Sequence, residues 1–418
     1  MRAIQHERLA IDPYFAKTGD TIKVPMQRLA PIAAIIGLSA VGCGDNGGAP
    51  SDARVDAPVD VAPDACVPNL RVETFTSQEL IIPATSNTAT AALTAPLDRT
   101  ILFTSIRHNE PGAFYGAVHC YMHPEQTTAP IKPAGITCEK FIDGTDNPAS
   151  TGQIHIRWTA VTFSGGVRVQ RGLSDTNTVN PAVITLSPAV DPAHSFVLLG
   201  GGKQSGNSYG NNDFSQARLL NGTTLDIRQA AAGSHVAWQV VEMDGASVTR
   251  GTASMTDAEM MTEPAVPSTP NGLLLATYNV DTPAAVAANL MVQANLEATK
   301  IVFKRSGAAV PVTTIAWELV SLPYPVTKHV TNFAIGEVTK TETVSGLSAA
   351  RSVALGSIQA LSGQSSGSTT NTADDNVGES SFTLTSGAGM VTVERATALS
   401  AASLGWSTID FATDPACN

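Results

Sequence analysis

Three short stretches carry residue types that do chemistry elsewhere. The segment "HCYMH" (119–123) sets His119 and His123 four positions apart around Cys120, with Cys138 further along. Imidazole and thiolate are zinc ligands, held about 2.0–2.3 Å from the ion. On a strand, residues four apart project from one side but lie about 13 Å from each other. One zinc ion would need a bend there, whereas a Cys120–Cys138 disulfide needs none and is the expected use of the pair. The segment "GQSSG" (363–367) fits the nucleophile-elbow pattern around Ser365. That elbow requires a strand before it and a helix after it. Here it sits in the polar run "LSGQSSGSTTNTADDNVGESS", and the last histidine, His329, precedes it, so no downstream Asp and His complete a triad. The run "GGGK" (200–203) lacks the Ser/Thr and the spacing of a phosphate loop. No carboxylate pair stands out for glycosidic acid–base work. No catalytic residue is nominated, and the expected class is not an enzyme.

The elements that position these residues repeat. All four tryptophans, Trp158, Trp238, Trp317 and Trp406, fall 80, 79 and 89 residues apart. Each starts the same apolar strand, such as Trp238 with Val240, Val241 and Met243. The stretch "RWTAVTFSGGVRVQRG" (157–172) is echoed by "AWQVVEMDGASVTRG" (237–251). Upstream of three tryptophans, an apolar strand ends on Arg228, Arg305 or Arg395. Each copy opens on another strand: "TILFTSI" (100–106), "SFVLLGG" (195–201), "GLLLATY" (272–278) and "RSVALGS" (351–357). Internal periodicity of this kind governs the fold. Alternation as in Val167-Arg168-Val169 predicts strands with one wet face, and Gly165-Gly166 and Asp244-Gly245 are hairpin signals. The expected fold is all-β, with four tandem small antiparallel β-sandwich repeats of about 80 residues. The predicted borders are 70–175, 176–254, 255–333 and 334–418. Each tryptophan is read as a core anchor; the other arrangement is a row of surface rings stacking on sugars.

The front of the chain has a different character. Lys23 and Arg28 precede the apolar run "LAPIAAIIGLSAVG" (29–42), which ends at Cys43. At about 14 residues it fits a secretory h-region and is too short to span a bilayer. With Ala40, Val41 and Gly42 before the cysteine, it resembles the lipobox of bacterial lipoproteins. That resemblance implies cleavage after residue 42 and acylation of Cys43. Residues 1–25 are an odd leader for a signal peptide, and the expected true start is Met26. Ala40 departs from the pattern, which commonly has Leu there. Residues 43–69 contain "GDNGGAPSDARVDAPVDVAPDAC", with Asp52, Asp56, Asp60 and Asp64 among Ala, Val and Pro. Mutual repulsion and proline make this an extended, disordered stalk. It resembles the Asp-Ala-Pro spacers that follow the anchor in surface lipoproteins of Gram-negative bacteria. EF-hand spacing is absent from the four aspartates. In ending a small sandwich on a Trp-bearing strand, each copy also resembles H-type lectin domains, a likeness that places no sugar-binding residue.

The bulk properties agree with an exported β protein. Only 15% of residues are charged and 5% aromatic, with 34 Gly and 25 Pro; average soluble domains carry about 25% charged residues. A net charge of −11 and the lack of a basic patch exclude a nucleic-acid partner. Besides Cys120 and Cys138, Cys66 and Cys417 are left to pair, which requires the repeat array to fold back on itself. The loop between the first two strands of each copy varies most. Two versions are rich in Ser, Asn, Gly and Asp, and ligand contacts are expected at Tyr209, Asn211, Asn212 and Asp213, with a second set at Asp374, Asp375 and Asn376. No cofactor is expected, although Asp374, Asp375 and Asn376 carry the oxygen donors that a weakly held calcium ion takes. The functional expectation is a non-catalytic, lipid-anchored protein of the outer membrane or cell surface that binds a surface glycan or protein. The alternative is a structural surface-layer or appendage component, and a secreted hydrolase is the distant third.

Overall fold

The computed structural model describes residues 70–108, 118–125, 133–140, 153–175, 179–204, 214–230, 234–281, 290–306, 312–360, 380–385, 389–395 and 401–411. The expected leader (1–42), anchor and stalk (43–69) lie outside them. The described chain is all-β, with one 3₁₀ turn at Leu97–Arg99. The first unit holds β1 (Val72–Ile82), β2 (Thr88–Ala92), β3 (Thr100–His108), β4 (Val118–His123), β5 (Gly135–Lys140) and β6 (Ile154–Phe163). The second holds β7 (Val167–Asp175), β8 (Ala182–Thr185), β9 (Ser195–Gln204), β10 (Gln216–Asn221), β11 (Thr224–Arg228) and β12 (Ser234–Met243). The third holds β13 (Ser247–Met255), β14 (Met261–Thr262), β15 (Gly272–Val280), β16 (Gln293–Leu296), β17 (Ile301–Lys304) and β18 (Thr313–Ser321). The fourth holds β19 (Val326–Phe333), β20 (Thr339–Thr343), β21 (Ser352–Ala360), β22 (Ser380–Thr385), β23 (Met390–Arg395) and β24 (Ala402–Asp410).

Every unit is a sandwich of two three-stranded antiparallel sheets. The first, sixth and third strands make one sheet with the sixth in the centre: β1-β6-β3, β7-β12-β9, β13-β18-β15 and β19-β24-β21. The second, fifth and fourth make the other, with the fifth in the centre. The tryptophan lies on the sixth strand in all four units.

The expected borders at 175/176, 254/255 and 333/334 fall one strand late. β7 pairs along its length with β12, β13 with β18, and β19 with β24. The strand after each tryptophan strand therefore opens the next unit. The glycines at 165–166 and 245 are the reason for the misplacement. They make tight turns, with Gly166 at φ 69° and Gly245 at φ 76°. Yet β6 and β7 lie in different sheets, as do β12 and β13. A hairpin signal in the sequence is here a crossing between units. The first two crossings are joined to each other, since Asp244 N donates to Gly166 O at 2.8 Å.

The sixth strand is buried on both faces, which is why β6 carries the pattern BiBiBBBBBB. One face holds the tryptophan and the residues two before and two after it, as in Ile156, Trp158 and Ala160. This face packs inside its own sandwich. The other face, continued by the residue just past the end of β18 and of β24, holds the residues three and five after the tryptophan. These are Val161 and Phe163, Val241 and Met243, Val320 and Leu322, and Ile409 and Phe411, and all eight belong to one core. The third strands add Ile101, Phe196, Leu273 and Val353 to the same core. Four sandwiches thus converge on a shared apolar centre.

The array closes. The fourth strand of each unit contacts the third and sixth strands of the next: β4 on β9 and β12, β10 on β15 and β18, β16 on β21 and β24. The series continues with β22 of the fourth unit on β3 and β6 of the first. At this last junction Phe382 N donates to Ser105 Oγ at 3.3 Å, and Arg107 lies 3.6 Å from Glu394. Leu70 and Phe411, the first and last described residues, sit in the one shared core. Phe411 meets the rings of Phe75, Phe103 and Phe163 from the first unit at 6.5, 6.2 and 6.0 Å, and Tyr324 at 4.9 Å. The repeats are tandem in sequence and cyclic in space.

Such a ring should unfold as one body. Phe411→Ala removes the ring that packs the fourth unit against the aromatic residues of the first and should cost about 3–5 kcal/mol. Urea unfolding of this variant is expected to remain a single transition, shifted to lower denaturant, when followed by total tryptophan fluorescence. Two separated transitions would mean that the units fold independently and that the shared core is of little weight.

Candidate functional site: the axial cavity

Side chains on the central faces of the first sheets form a series of levels along the ring axis. The lowest is the shared apolar core. At the next level, Phe103, Leu198, Leu275 and Leu355 of the third strands stand opposite the residues that follow each tryptophan: Thr159, Gln239, Glu318 and Ser407. Those polar residues lie on a face that the ring buries, and two of them close open sheet edges. Gln239 accepts from Leu102 N at 3.1 Å and donates to Leu102 O at 2.8 Å, so one amide side chain satisfies both groups of the β3 edge. Glu318 accepts from Val197 N at 2.7 Å, the matching position one unit on. Buried backbone groups need such partners. Burial pushes the Glu318 carboxyl up, against the pull of Arg250 and the Val197 amide.

The recurring Arg-Gly has the same logic. Arg171 donates to Leu97 O at 2.6 Å and also to Thr100 O, carbonyls just before and at the start of β3. Arg250 donates to Pro192 O at 2.6 Å and to Ser195 O, and its Nε donates to Glu318 at 3.1 Å. Each arginine reaches back to the preceding unit, and burial pushes Arg171 down to about 10. The glycine after it makes room for the tryptophan. A Cβ at Gly172 would lie 2.7 Å from the Trp238 ring, and one at Gly251 would lie 2.5 Å from the Trp317 ring. In the fourth unit the pair becomes Lys328-His329. His329 stacks on Trp406 with ring centroids 4.1 Å apart, and burial pushes its pKa down.

At the third level a hydroxyl or a glycine receives the fourth strand of the preceding unit. Thr277 Oγ1 accepts from Ala217 N at 3.0 Å, and Ser357 Oγ accepts from Ala294 N at 2.8 Å. Ser105 does the same at the closing junction. The second unit has Gly200 and Gly201 instead. A Cβ at Gly200 would lie 2.3 Å from Cys120 O, and one at Gly201, whose φ is 94°, would lie 2.0 Å from Val118 O. The run "GGGK" therefore serves close backbone approach.

Between these levels lies a cavity of about 660 Å³, lined by third-strand residues of all four units. Its floor is the ring of Phe103, Leu198, Leu275 and Leu355. Its wall also includes Asn295, Lys328, Val330 and Ser407. Lys328 and Val330 are exposed to solvent, so the cavity opens where the third and fourth units meet. Lys328 Nζ has one long contact, 3.4 Å to Thr269 O, and partial burial pushes its pKa down. No carboxylate is paired with it among the described residues.

The residues nominated from sequence are distributed as follows. Trp158, Trp238, Trp317 and Trp406 are 1, 8, 7 and 3% exposed, which leaves no ring face for a sugar. Cys120 and Cys138 are paired across β4 and β5 with Cα atoms 4.1 Å apart, and they form a disulfide. Cys138 is therefore not a metal ligand. His119 and His123 do share one side of β4 and flank Tyr121, with ring centroids 5.6 and 5.9 Å from it. His123 is held by Thr137 Oγ1 at 2.8 Å and Pro124 O at 3.0 Å. No group of three His, Cys, Asp or Glu side chains suited to a metal occurs among the described residues. Cys43, Cys66, Cys417, Tyr209, Asn211, Asn212, Asp213, Ser365, Asp374, Asp375 and Asn376 lie outside the described residues.

The cavity and Lys328 were not found by sequence reasoning. A signal existed: when the four opening strands are aligned on Thr100, Ser195, Gly272 and Ser352, their sixth positions read Ser105, Gly200, Thr277 and Ser357. The edge closure by Gln239 is open to test. Gln239→Met keeps the volume but leaves the Leu102 amide and carbonyl unpaired, which should cost about 1–3 kcal/mol for each group. Denaturant unfolding that places the variant within about 0.5 kcal/mol of the parent, the range of an ordinary surface change, would show that the contact is dispensable.

No protein-family model matches the chain, and no curated protein matches it in sequence.

Proposed function

We propose that this is a non-catalytic protein of the outer membrane or cell surface, anchored through lipid on Cys43, that binds a surface glycan or protein through loops at one end of the ring. The supporting observation is the common direction of the third strands. Ile101, Phe196, Leu273 and Val353, at or near the start of β3, β9, β15 and β21, sit in the shared core. The chain leaves all four strands at the end away from that core, where segments 109–117, 205–213, 282–289 and 361–379 begin. A closed scaffold with variable connections starting from one end is a common arrangement for recognition. The two long polar connections carry Tyr209, Asn211, Asn212 and Asp213, and Asp374, Asp375 and Asn376, whose amide, carboxylate and phenol groups suit polar sugars.

Two measurements test this. Cys43→Ala should leave unprocessed precursor and abolish palmitate labelling; normal maturation would remove the anchor from the proposal. Shortening both segments 205–213 and 361–379 should leave the melting curve of the ring unchanged and eliminate binding on a glycan array run with calcium and with chelator. If the parent chain binds nothing under either condition, or if the shortened chain binds equally, the structural-component reading takes its place.

A further inference from the structure

We infer that the axial cavity binds a small amphiphile with an apolar body and a single anionic head, such as a monocarboxylate of medium chain length. This site is lined by strand residues and does not rest on the loop reading proposed above. The first argument is size. About 660 Å³ lies inside the roughly 300–1,000 Å³ range of small-molecule sites.

The second argument is the sequence of chemistry from floor to opening. Phe103, Leu198, Leu275 and Leu355 come from four different units and present one apolar layer. Phe103 and Leu198 belong to the shared core and Leu275 and Leu355 pack against it, so the layer caps the core and turns its remaining apolar surface to the cavity. The hydroxyls above the layer are engaged with neighbouring backbone: Ser357 with Ala294, Thr277 with Ala217 and Ser105 with Phe382. They offer a ligand little, so the body that fits here is apolar.

The third argument is the cation at the opening. The equivalent basic residues, Arg171 and Arg250, are held at 2.6 Å on carbonyls of the preceding unit, whereas Lys328 reaches the matching carbonyl, Thr269 O, only at 3.4 Å. Arg250 also faces Glu318, whereas the residue in the place of Glu318 opposite Lys328 is Ser407. The fourth unit thus keeps the cation and lacks the carboxylate, and that cation stands on the cavity wall. Partial burial lowers its pKa, as expected for an ammonium short of a counter-ion. A carboxylate head would supply one.

The test uses the full chain in amphiphile-free buffer, titrated calorimetrically with decanoate, 1-decanol and decyltrimethylammonium. Decanoate is expected to bind at one site per chain, more tightly than the alcohol, and the cation is not expected to bind. Lys328→Gln, a change at an exposed position, should weaken decanoate about fivefold, the scale of a partly exposed ion pair, and leave the alcohol unchanged. Leu275→Trp should abolish both by filling the floor, with Leu355→Phe as the milder filling change should the first variant melt early. Absence of saturable decanoate binding overturns the site. Binding that neither filling change alters places the ligand elsewhere and overturns it equally. Decanoate binding that is indifferent to Lys328→Gln overturns the anionic head and with it the stated ligand class.

Discussion

The structure depends on the two-faced burial of the sixth strand of each unit. A strand in a lone sandwich has one face in the core and one in water. Here the tryptophan face fills its own sandwich, and the opposite face fills a centre shared by all four units. No single unit can bury that second face by itself. Burial of one large apolar side chain stabilises by about 1.5–3 kcal/mol, and each unit places two such residues from its sixth strand in the shared centre. The association of the units is therefore part of the fold of each.

The other features follow from that constraint. Packing four sheets around one centre brings the open edge of each third strand against the next unit. An edge with unpaired amides would be costly in that place. Gln239 and Glu318 close two of these edges. Arg171 and Arg250 bind the carbonyls that precede the same strands. Glycines admit the tryptophan rings and the crossing backbone where a side chain would collide. The fourth unit departs from this pattern, with Lys328 and Ser407 in the places of Arg250 and Glu318. The same region holds the opening of the cavity.

The acidic character of the chain has little counterpart at this centre, where the carboxylate that enters, Glu318, is paired with Arg250. The Cys120–Cys138 bridge belongs to the second sheet of the first unit and staples β4 to β5, next to the glycines on which β4 lies. It steadies the one junction that uses glycine in place of a hydroxyl.

Local pattern, alternation and spacing, was enough for an all-β chain that repeats around four tryptophans. It made Cys120 and Cys138 the nearest pair to join, and the structure, with the two on facing strands, decided that pairing. The sequence did not determine where a unit ends, because Gly165-Gly166 and Asp244-Gly245 satisfy a turn equally well within a hairpin or between two sheets. It also did not reveal the ring. Thr159, Gln239, Glu318 and Ser407 are polar residues that the local pattern gives no reason to bury. Only the tertiary structure shows that their face is covered by other units, and that its polar residues close strand edges that exist only once the ring has formed. A residue's partner across a seam some 120 positions away, as for Val197 and Glu318, leaves no local signature. The cavity, which is the space that four strands leave between them, leaves none either.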